Sequence, residues 1–243
     1  ANCELGSVPP ETGYHCPVAD NCVDRLGGLW YIKYKFVRSA FVKSVQEKIA
    51  GVVLAAGSSS RMGRAKQVLP YRGRPLLQHV LDSAADAAQL DLVILMVGYR
   101  GEEIVSCLNL DREEVRWVPD SRQGQSASIR RGVKEAENLG ASAVLFLLGD
   151  QPLVPTWVID RVAETYRQHH DPVVLPVYEG RRGNPVLMDR SLFFRLKEIT
   201  GDIGGRAILP GCEGMIRELE VSCPGIHVDV DDWDDYMRLP GEG

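Results

Sequence analysis

Four short apolar runs, separated by stretches of helical period, constrain the fold of this chain more than any other feature. They are IAGVVLA from Ile49, LVILMVG at 92–98, VRWVP at 115–119 and AVLFLLGD at 143–150. Runs this short, apolar on successive residues, read as strands buried on both faces. Between the first two, PLLQHVLDSAADAA places Leu76, Leu77, Val80, Leu81 and Ala84 on one helical face, and Pro75 suits the first turn. Residues 101–109 predict a short helix, and SASIRRGVKEAEN a longer one with Ser126 or Ser128 near its start. Strands and helices alternating at this interval predict a mostly parallel α/β sheet covered on both sides. With 243 residues, 44% of them hydrophobic, one substantial core is within reach. Beyond Pro185 the pattern loosens. We expect a helix near 190–199, another near 205–209, a strand near 226–230 and a C-terminal helix from about Trp233.

Residues 1–48 form a different region. They begin turn-rich and continue aromatic and basic from Trp30 to Lys48, without βα alternation. We therefore expect an N-terminal extension, poorly packed, before a domain at 49–243. Cys3, His15, Cys16 and Cys22 are zinc-type ligands, but the gap between Cys16 and Cys22 is wider than a paired-ligand knuckle.

The segment LAAGSSSRMGRAK, Leu54 to Lys66, follows the first apolar run. Ala55, Ala56, Gly57, Ser58, Ser59 and Ser60 are small, so the backbone can approach a bulky anion and its N–H groups can cradle phosphate. Arg61 supplies a planar fork, Gly63 a flexible position and Lys66 a compact charge. This is neither a Walker A loop nor the dinucleotide fingerprint.

Asp150 ends the fourth apolar run, and sites in open parallel sheets gather at strand C-termini. A carboxylate there suits a hard cation such as Mg2+. A cap for a helix after Pro152 is the alternative. Asp229 and Asp231 alternate in VDVD and share a face of an extended segment. Either completes a metal site, or both join Asp232, Asp234 and Asp235 in a solvated acidic cluster. Gly124, Gln125, Ser126 and Ser128 open a helix, as an anion or nucleobase contact or as ordinary capping. Arg181, Arg182, Gly183, Asn184 and Pro185, with Gly201, Asp202, Gly205 and Arg206, read either as a second-substrate site or as surface loops.

LAAGSSSRMGRAKQVLP resembles the signature loop of the sugar-nucleotide-type nucleotidyltransferases, LAAGxSxRMGxxK. Within that superfamily the chain is most similar to the molybdenum cofactor cytidylyltransferases and their xanthine dehydrogenase maturation relatives. GQSASIRRG, LLGDQPLV, GRRGNPVL, TGDIGGRAIL and VDVDDWDDYMRL extend the resemblance over residues 50–240. It implies a Rossmann-like three-layer α/β/α fold in a single nucleotidyltransferase domain. It also implies CMP transfer from CTP to the terminal phosphate of molybdenum cofactor, with Mg2+ on Asp150 and pyrophosphate released. Arg61, Lys66 and Asp150 are then the catalytic residues. Leu54 to Ser60, Gly63, Gly124, Ser126 and Ser128 contact the nucleotide. Gly183, Asn184, Pro185, Asp202 and Arg206 contact the second substrate. Related guanylyltransferases read LAGG, so the methyl of Ala56 favours a pyrimidine.

His79, His169, His170 and His227 stand in no triad-like context, and His79 reads as helix surface. Direct attack by the acceptor's phosphate is therefore expected, without a covalent intermediate. The rivals are a cytidylyltransferase for methylerythritol phosphate, a sugar-phosphate nucleotidyltransferase, a guanylyltransferase and a non-catalytic cofactor carrier. The first normally has HDAARP where LLGDQPLV stands, and the second is usually longer. A molybdenum hydroxylase or its maturation factor is the partner that the resemblance suggests.

The formal charge of -5 is a poor match for nonspecific nucleic-acid binding. No apolar run approaches the ~20 residues of a membrane helix. The six cysteines (Cys107, Cys212 and Cys223 being the others) are too sparse for a disulfide framework, so free thiols in the cytoplasm are expected.

Overall fold

The computed structural model describes residues 47–57, 65–98, 100–111, 115–119, 124–201 and 205–241. They belong to the unit Ser44–Gly243. The expected zinc-type cluster at Cys3, His15, Cys16 and Cys22 lies outside the described residues.

The first half of the chain alternates as its periodicity dictates. Strand β1 (Ile49–Ala55) leads through the loop to a 3-10 turn (Lys66–Val68), then to the short strands β2 (Pro70–Tyr71) and β3 (Arg74–Pro75). Helix α1 (Leu76–Ala85), β4 (Leu92–Val97), α2 (Gly101–Ser106), β5 (Val115–Pro119), α3 (Gln125–Asn138) and β6 (Ala143–Leu148) follow. Helix α2 stops short of the expected 109. The second half adds α4 (Thr156–His169), β7 (Val173–Tyr178), β8 (Arg181–Arg182) and β9 (Val186–Asp189). Helix α5 (Phe193–Glu198), β10 (Ile216–Glu220) and α6 (Trp233–Met237) complete it.

The main sheet runs β10-β7-β9-β6-β1-β4-β5, with β8 beside β7. Strand β1 lies parallel to both β4 and β6, and β4 parallel to β5. Strand β9 runs antiparallel to β6 and β7. The chain steps outward from β1 to β4 and β5, then returns to the other side of β1 as β6. That reversal opens a crevice at the C-terminal ends of β1 and β6, where ligands bind in such sheets.

Alternation along the strands divides the core into two layers. Val53 and Ala55 face a layer built with Leu77, Val80 and Leu81 of α1 and Val158, Ile159 and Val162 of α4. Ala50 and Val52 face the other, with Ile129, Val133 and Ala136 of α3 and Phe193 and Leu196 of α5. The expected three-layer, Rossmann-like α/β/α architecture is what forms. Gly132 lets α3 lie close on β1, since a Cβ there would stand 2.7 Å from Val52 Cγ1.

One expectation fails. Residues 226–230 are not a strand: Pro224–His227 is a 3-10 turn, and extended backbone follows. The edge strand is instead β10, parallel to β7. Its sequence IRELE carries no apolar run, because only one side of an edge strand is covered. The C-terminal segment is held by a third cluster, in which Val230 and Leu239 pack with Leu69, Tyr71 and Leu76.

Candidate active site

Strand β1 delivers its last residues to the crevice, and neighbours on several sides fix them. Gly149 donates its N–H to the Leu54 carbonyl at 2.9 Å. A Cβ on Gly149 would stand 2.9 Å from the Ala55 methyl, and one on Gly98 would stand 2.9 Å from the Ala56 carbonyl. Both glycines are therefore close-approach positions for the neck of the loop. Leu54 and Ala55, expected at the nucleotide, are strand residues, and Ala55 is buried in the core. Ala56 is half-buried, and Gly57 is exposed with open space around it. Ser58, Ser59, Ser60, Arg61 and Gly63 lie outside the described residues.

At the far end of the loop Lys66 enters the site. Its Nζ donates to Asp150 Oδ2 at 2.6 Å and to Asp231 Oδ1 at 3.0 Å. The Lys66 side chain is 11% exposed and that of Asp231 57%, so the pair is buried at one end and open to the crevice at the other. Burial pushes the Lys66 ammonium down, but Asp150 and then Asp231 outweigh it, and its pKa sits above the usual value. Lys66 is charged at any working pH.

Asp150 follows β6 directly. The helix after Pro152 starts at Thr156 with Pro155 as its cap, so Asp150 is not a capping residue. Its Oδ1 is buried without a hydrogen-bond partner. Asp229 accepts a hydrogen bond from Gln151 Nε2 at 2.6 Å. Burial, then the Asp150 charge, raise its carboxyl above the ordinary range. Asp229 and Asp231 thus meet the site from extended backbone, while Val230 between them is buried and donates its N–H to the Asp150 carbonyl. The wider acidic cluster divides by task. Asp232 caps α6 by accepting from the Asp234 and Asp235 N–H groups, and Asp235 accepts from the Asp231 N–H.

Two carboxylates therefore pair with one ammonium, and a third, Asp229, interacts with it through charge. Among the described residues no group of three His, Cys, Asp or Glu side chains is disposed to hold a metal by itself. Mg2+ needs no such cage, because it takes one or two carboxylates and substrate phosphates. The donors are hard oxygens, the negative charge exceeds the positive, and Asp150 Oδ1 lacks a partner. The residues fit a divalent cation, which Asp150 and Asp231 would hold.

Among the expected contacts on α3, Ser126 has a partner within the fold. Gly124 precedes the helix at φ 83°, and Gln125 is exposed. Ser126 and Ser128 are buried, and Ser126 Oγ donates to the Gly201 carbonyl. Ser126 thus ties α3 to the loop that follows α5. On the second-substrate side, Asn184 and Pro185 are joined by a cis peptide and lead into β9. Val186 pairs with Phe146, so this turn lies near the C-terminal end of β6. Gly183 packs on Ile226, where a Cβ would stand 2.4 Å from Cδ1. Arg182 pairs with Glu218 on the sheet edge rather than with the crevice. Asp202 lies outside the described residues. Arg206 is exposed, and its charge interacts with that of Asp229. His79 is half-buried rather than on the surface, with Nε2 2.7 Å from the Tyr71 carbonyl.

Two residues that sequence reasoning passed over are Gln67 and Gln151. Gln67 Nε2 donates to the carbonyls of Ala55 and Gly57, both at 3.0 Å. Gln151 Nε2 reaches Asp229 and, at 3.4 Å, the Ile226 carbonyl. Their positions next to Lys66 and Asp150 were the only signal, since a glutamine's type does not announce that it is buried.

Residues 51–216 match the MobA-like NTP transferase domain. The chain belongs to this family. It is a nucleotidyltransferase, with Lys66 and Asp150 paired at the crevice of its sheet. Relatives of this MobA-like domain carry different names. The purine catabolism protein PucB of Bacillus subtilis is 29% identical, over 77% of this chain and 94% of its own. The nicotine blue oxidoreductase of Paenarthrobacter nicotinovorans is 27% identical, over 79% and 96%. The molybdenum cofactor cytidylyltransferase of Escherichia coli is 26% identical, over 76% and 92%. Among solved structures, Rv0371c of Mycobacterium tuberculosis superposes with TM-score 0.68 at 32% identity, covering 79% of this chain and 97% of that one. It has also been solved with manganese.

Proposed function

We propose that this protein transfers CMP from CTP to the terminal phosphate of molybdenum cofactor and releases pyrophosphate, in the cytoplasm, with Mg2+. The observation that carries this reading is the bridge of Lys66 between Asp150 and Asp231 at the β1–β6 crevice. It sets a fixed cation and an oxygen-only carboxylate pair beside the loop that follows β1. The likeness to the Escherichia coli cytidylyltransferase, which spans 92% of that protein, supports the choice of reaction. The LAAG reading at Ala56 supports the choice of base.

In this reading the loop from Ala56 to Arg61, with Gly63, cradles the triphosphate. Arg61 and Lys66 offset charge on the transferring group and on departing pyrophosphate. Catalysis rests on positioning and electrostatics, and no protein nucleophile is needed. When bound on Asp150 and Asp231, Mg2+ supplies Lewis-acid stabilisation of phosphate charge. Asp229 stands behind them, oriented by Gln151. Gly124 and the start of α3 border the nucleotide. Asn184, Pro185, Asp202 and Arg206 border the phosphorylated acceptor, with Gly183 shaping that turn. A molybdenum hydroxylase or its maturation factor would take the product. The segment 1–48 stands outside this catalytic scheme.

The test is pyrophosphate release with Mg2+, molybdenum cofactor and each of CTP, GTP, ATP and UTP. Release with CTP alone, dependent on the cofactor, is the expected result. Release with GTP overturns the base assignment and keeps the chemistry. No release with any nucleotide overturns the acceptor. Arg61→Ala should lower turnover about a hundredfold or more while the thermal midpoint moves little; Asp150→Ala should lower turnover as much and also lower the midpoint, because it strips the buried Lys66 ammonium of its nearer partner.

A further inference from the structure

We infer that Gln67 is a positioning residue for the triphosphate, a clasp that fixes the neck of the loop at Ala55–Gly57. The inference rests on the reading of that loop as the triphosphate cradle. Gln67 is 3% exposed and belongs to the 3-10 turn that closes the loop. Both of its Nε2 hydrogen bonds go to the opposite rim, one to the Ala55 carbonyl and one to the Gly57 carbonyl. A primary amide has two N–H donors in one plane. Gln67 therefore takes hold of the two peptide units on either side of the Ala56–Gly57 peptide, with both N–H donors engaged.

The consequence follows from peptide geometry. In a planar trans peptide the carbonyl and the N–H point in opposite directions. Holding the Ala55 carbonyl inward turns the Ala56 N–H of the same unit to the other side. An anion is met by N–H groups and repelled by carbonyl oxygens, so this orientation decides whether the neck of the loop attracts phosphate. The neighbouring groups leave that orientation little freedom. Gly98 and Gly149 approach so closely that a Cβ on either would collide with Ala56 or Ala55. Lys66, the residue before Gln67, is held by Asp150 and Asp231, so clasp and catalytic cation are set by one turn. Both bonds lie at the neck of the loop read as the triphosphate cradle, so the effect is expected on the phosphate tail.

The experiment titrates the full-length protein and the variants Gln67→Met and Gln67→Glu with CTP and with CMP in Mg2+, by calorimetry, with thermal midpoints for each. Met keeps the length and removes both donors. Glu is nearly isosteric and turns oxygens toward the two carbonyls, and it carries the test should Gln67→Met fail to fold. The expected result is a CTP dissociation constant raised about tenfold, near the worth of one good hydrogen bond, with CMP affinity unchanged. In turnover the same loss appears in KM for CTP rather than in kcat. Equal weakening of CTP and CMP, which a merely structural role predicts, overturns the clasp alone. So does unchanged CTP binding. A wild-type protein that binds CMP and CTP equally well overturns the triphosphate-cradle reading and the clasp with it.

Discussion

Lys66 is shared by two carboxylates, one from the middle of the domain and one from near its C-terminus, and its removal has consequences on both sides. Lys66→Met would leave Asp150, Asp229 and Asp231 facing one another without the ammonium between them. Breaking a fully buried pair costs about 3–5 kcal/mol, and the exposure of Asp231 reduces that here to ~2 kcal/mol. A fall in the thermal midpoint is expected, with millimolar Mg2+ restoring more of it in the variant than in wild type. An unchanged midpoint in the absence of metal would contradict the pairing. A second residue pair sets a pH dependence. The Tyr166 hydroxyl donates to Asp189 Oδ2 at 2.6 Å, where β9 ends. Burial pushes the Asp189 carboxyl up, but hydrogen bonds from Tyr166 and from the Ser191 N–H outweigh it and hold its pKa below the ordinary value. A carboxyl depressed in the folded state stabilises above its unfolded pKa, and the contribution is lost as pH falls through the folded value. Tyr166→Phe should therefore cost about 1 kcal/mol at neutral pH, and the difference from wild type should shrink in acid. Urea titrations at pH 7 and pH 3 measure this; a difference that grows in acid would refute it. Asp150 stood out in the sequence because a charge at the end of an apolar run is conspicuous, and Lys66 because it closes a string of small and basic residues. Gln67 and Gln151 were not, because what matters is the orientation of their amides.

At the scale of elements, the strands β1, β4 and β6 could be read directly, since burial on both faces leaves an unbroken apolar signature. Helix α4 also carries its signature, with Val158, Ile159, Val162, Ala163 and Tyr166 buried at helical spacing. Strand β10 does not, because a half-covered edge admits Arg217, Glu218 and Glu220. The expected strand at 226–230 was misread for a related reason: the alternation in IHVDV is genuine, but Val230 packs against the β2–β3 hairpin instead of pairing along a strand. The 3-10 turn before it docks on backbone. A Cβ on Gly225 would stand 2.3 Å from the Leu153 carbonyl oxygen. Backbone cannot yield as a flexible side chain can, so Gly225→Ala should cost about 2 kcal/mol and displace the segment that carries Asp229 and Asp231. Turnover should fall more than stability accounts for. Gly214→Ala is the control, since nothing stands within 4 Å of a Cβ there. Equal behaviour of the two variants in melting and turnover would refute the docking argument.

For the whole molecule, the described contacts close within Ser44–Gly243. A chain beginning at Ser44 is expected to unfold in one cooperative transition and to keep wild-type turnover. A broadened transition or lost turnover would assign residues 1–43 a part in the fold or the site. Among the described residues no helix is long and apolar enough to cross a membrane. The alternation of β1, β4, β5 and β6 with the helices between them, their place in a mostly parallel sheet and the start of the loop at a strand end were determined by the sequence alone. Their physical basis is local, in the period of burial along each segment and the small residues that interrupt it. The tertiary structure alone decided that Asp231 meets Lys66 across 165 residues of chain, and that Gln67 turns back on the carbonyls of the strand it follows. Those meetings depend on Val230 and Leu239 packing against Leu69, Tyr71 and Leu76. Such long-range closure leaves no periodic trace in either segment, because each apolar residue is ordinary by itself and acquires its partner only when the chain returns.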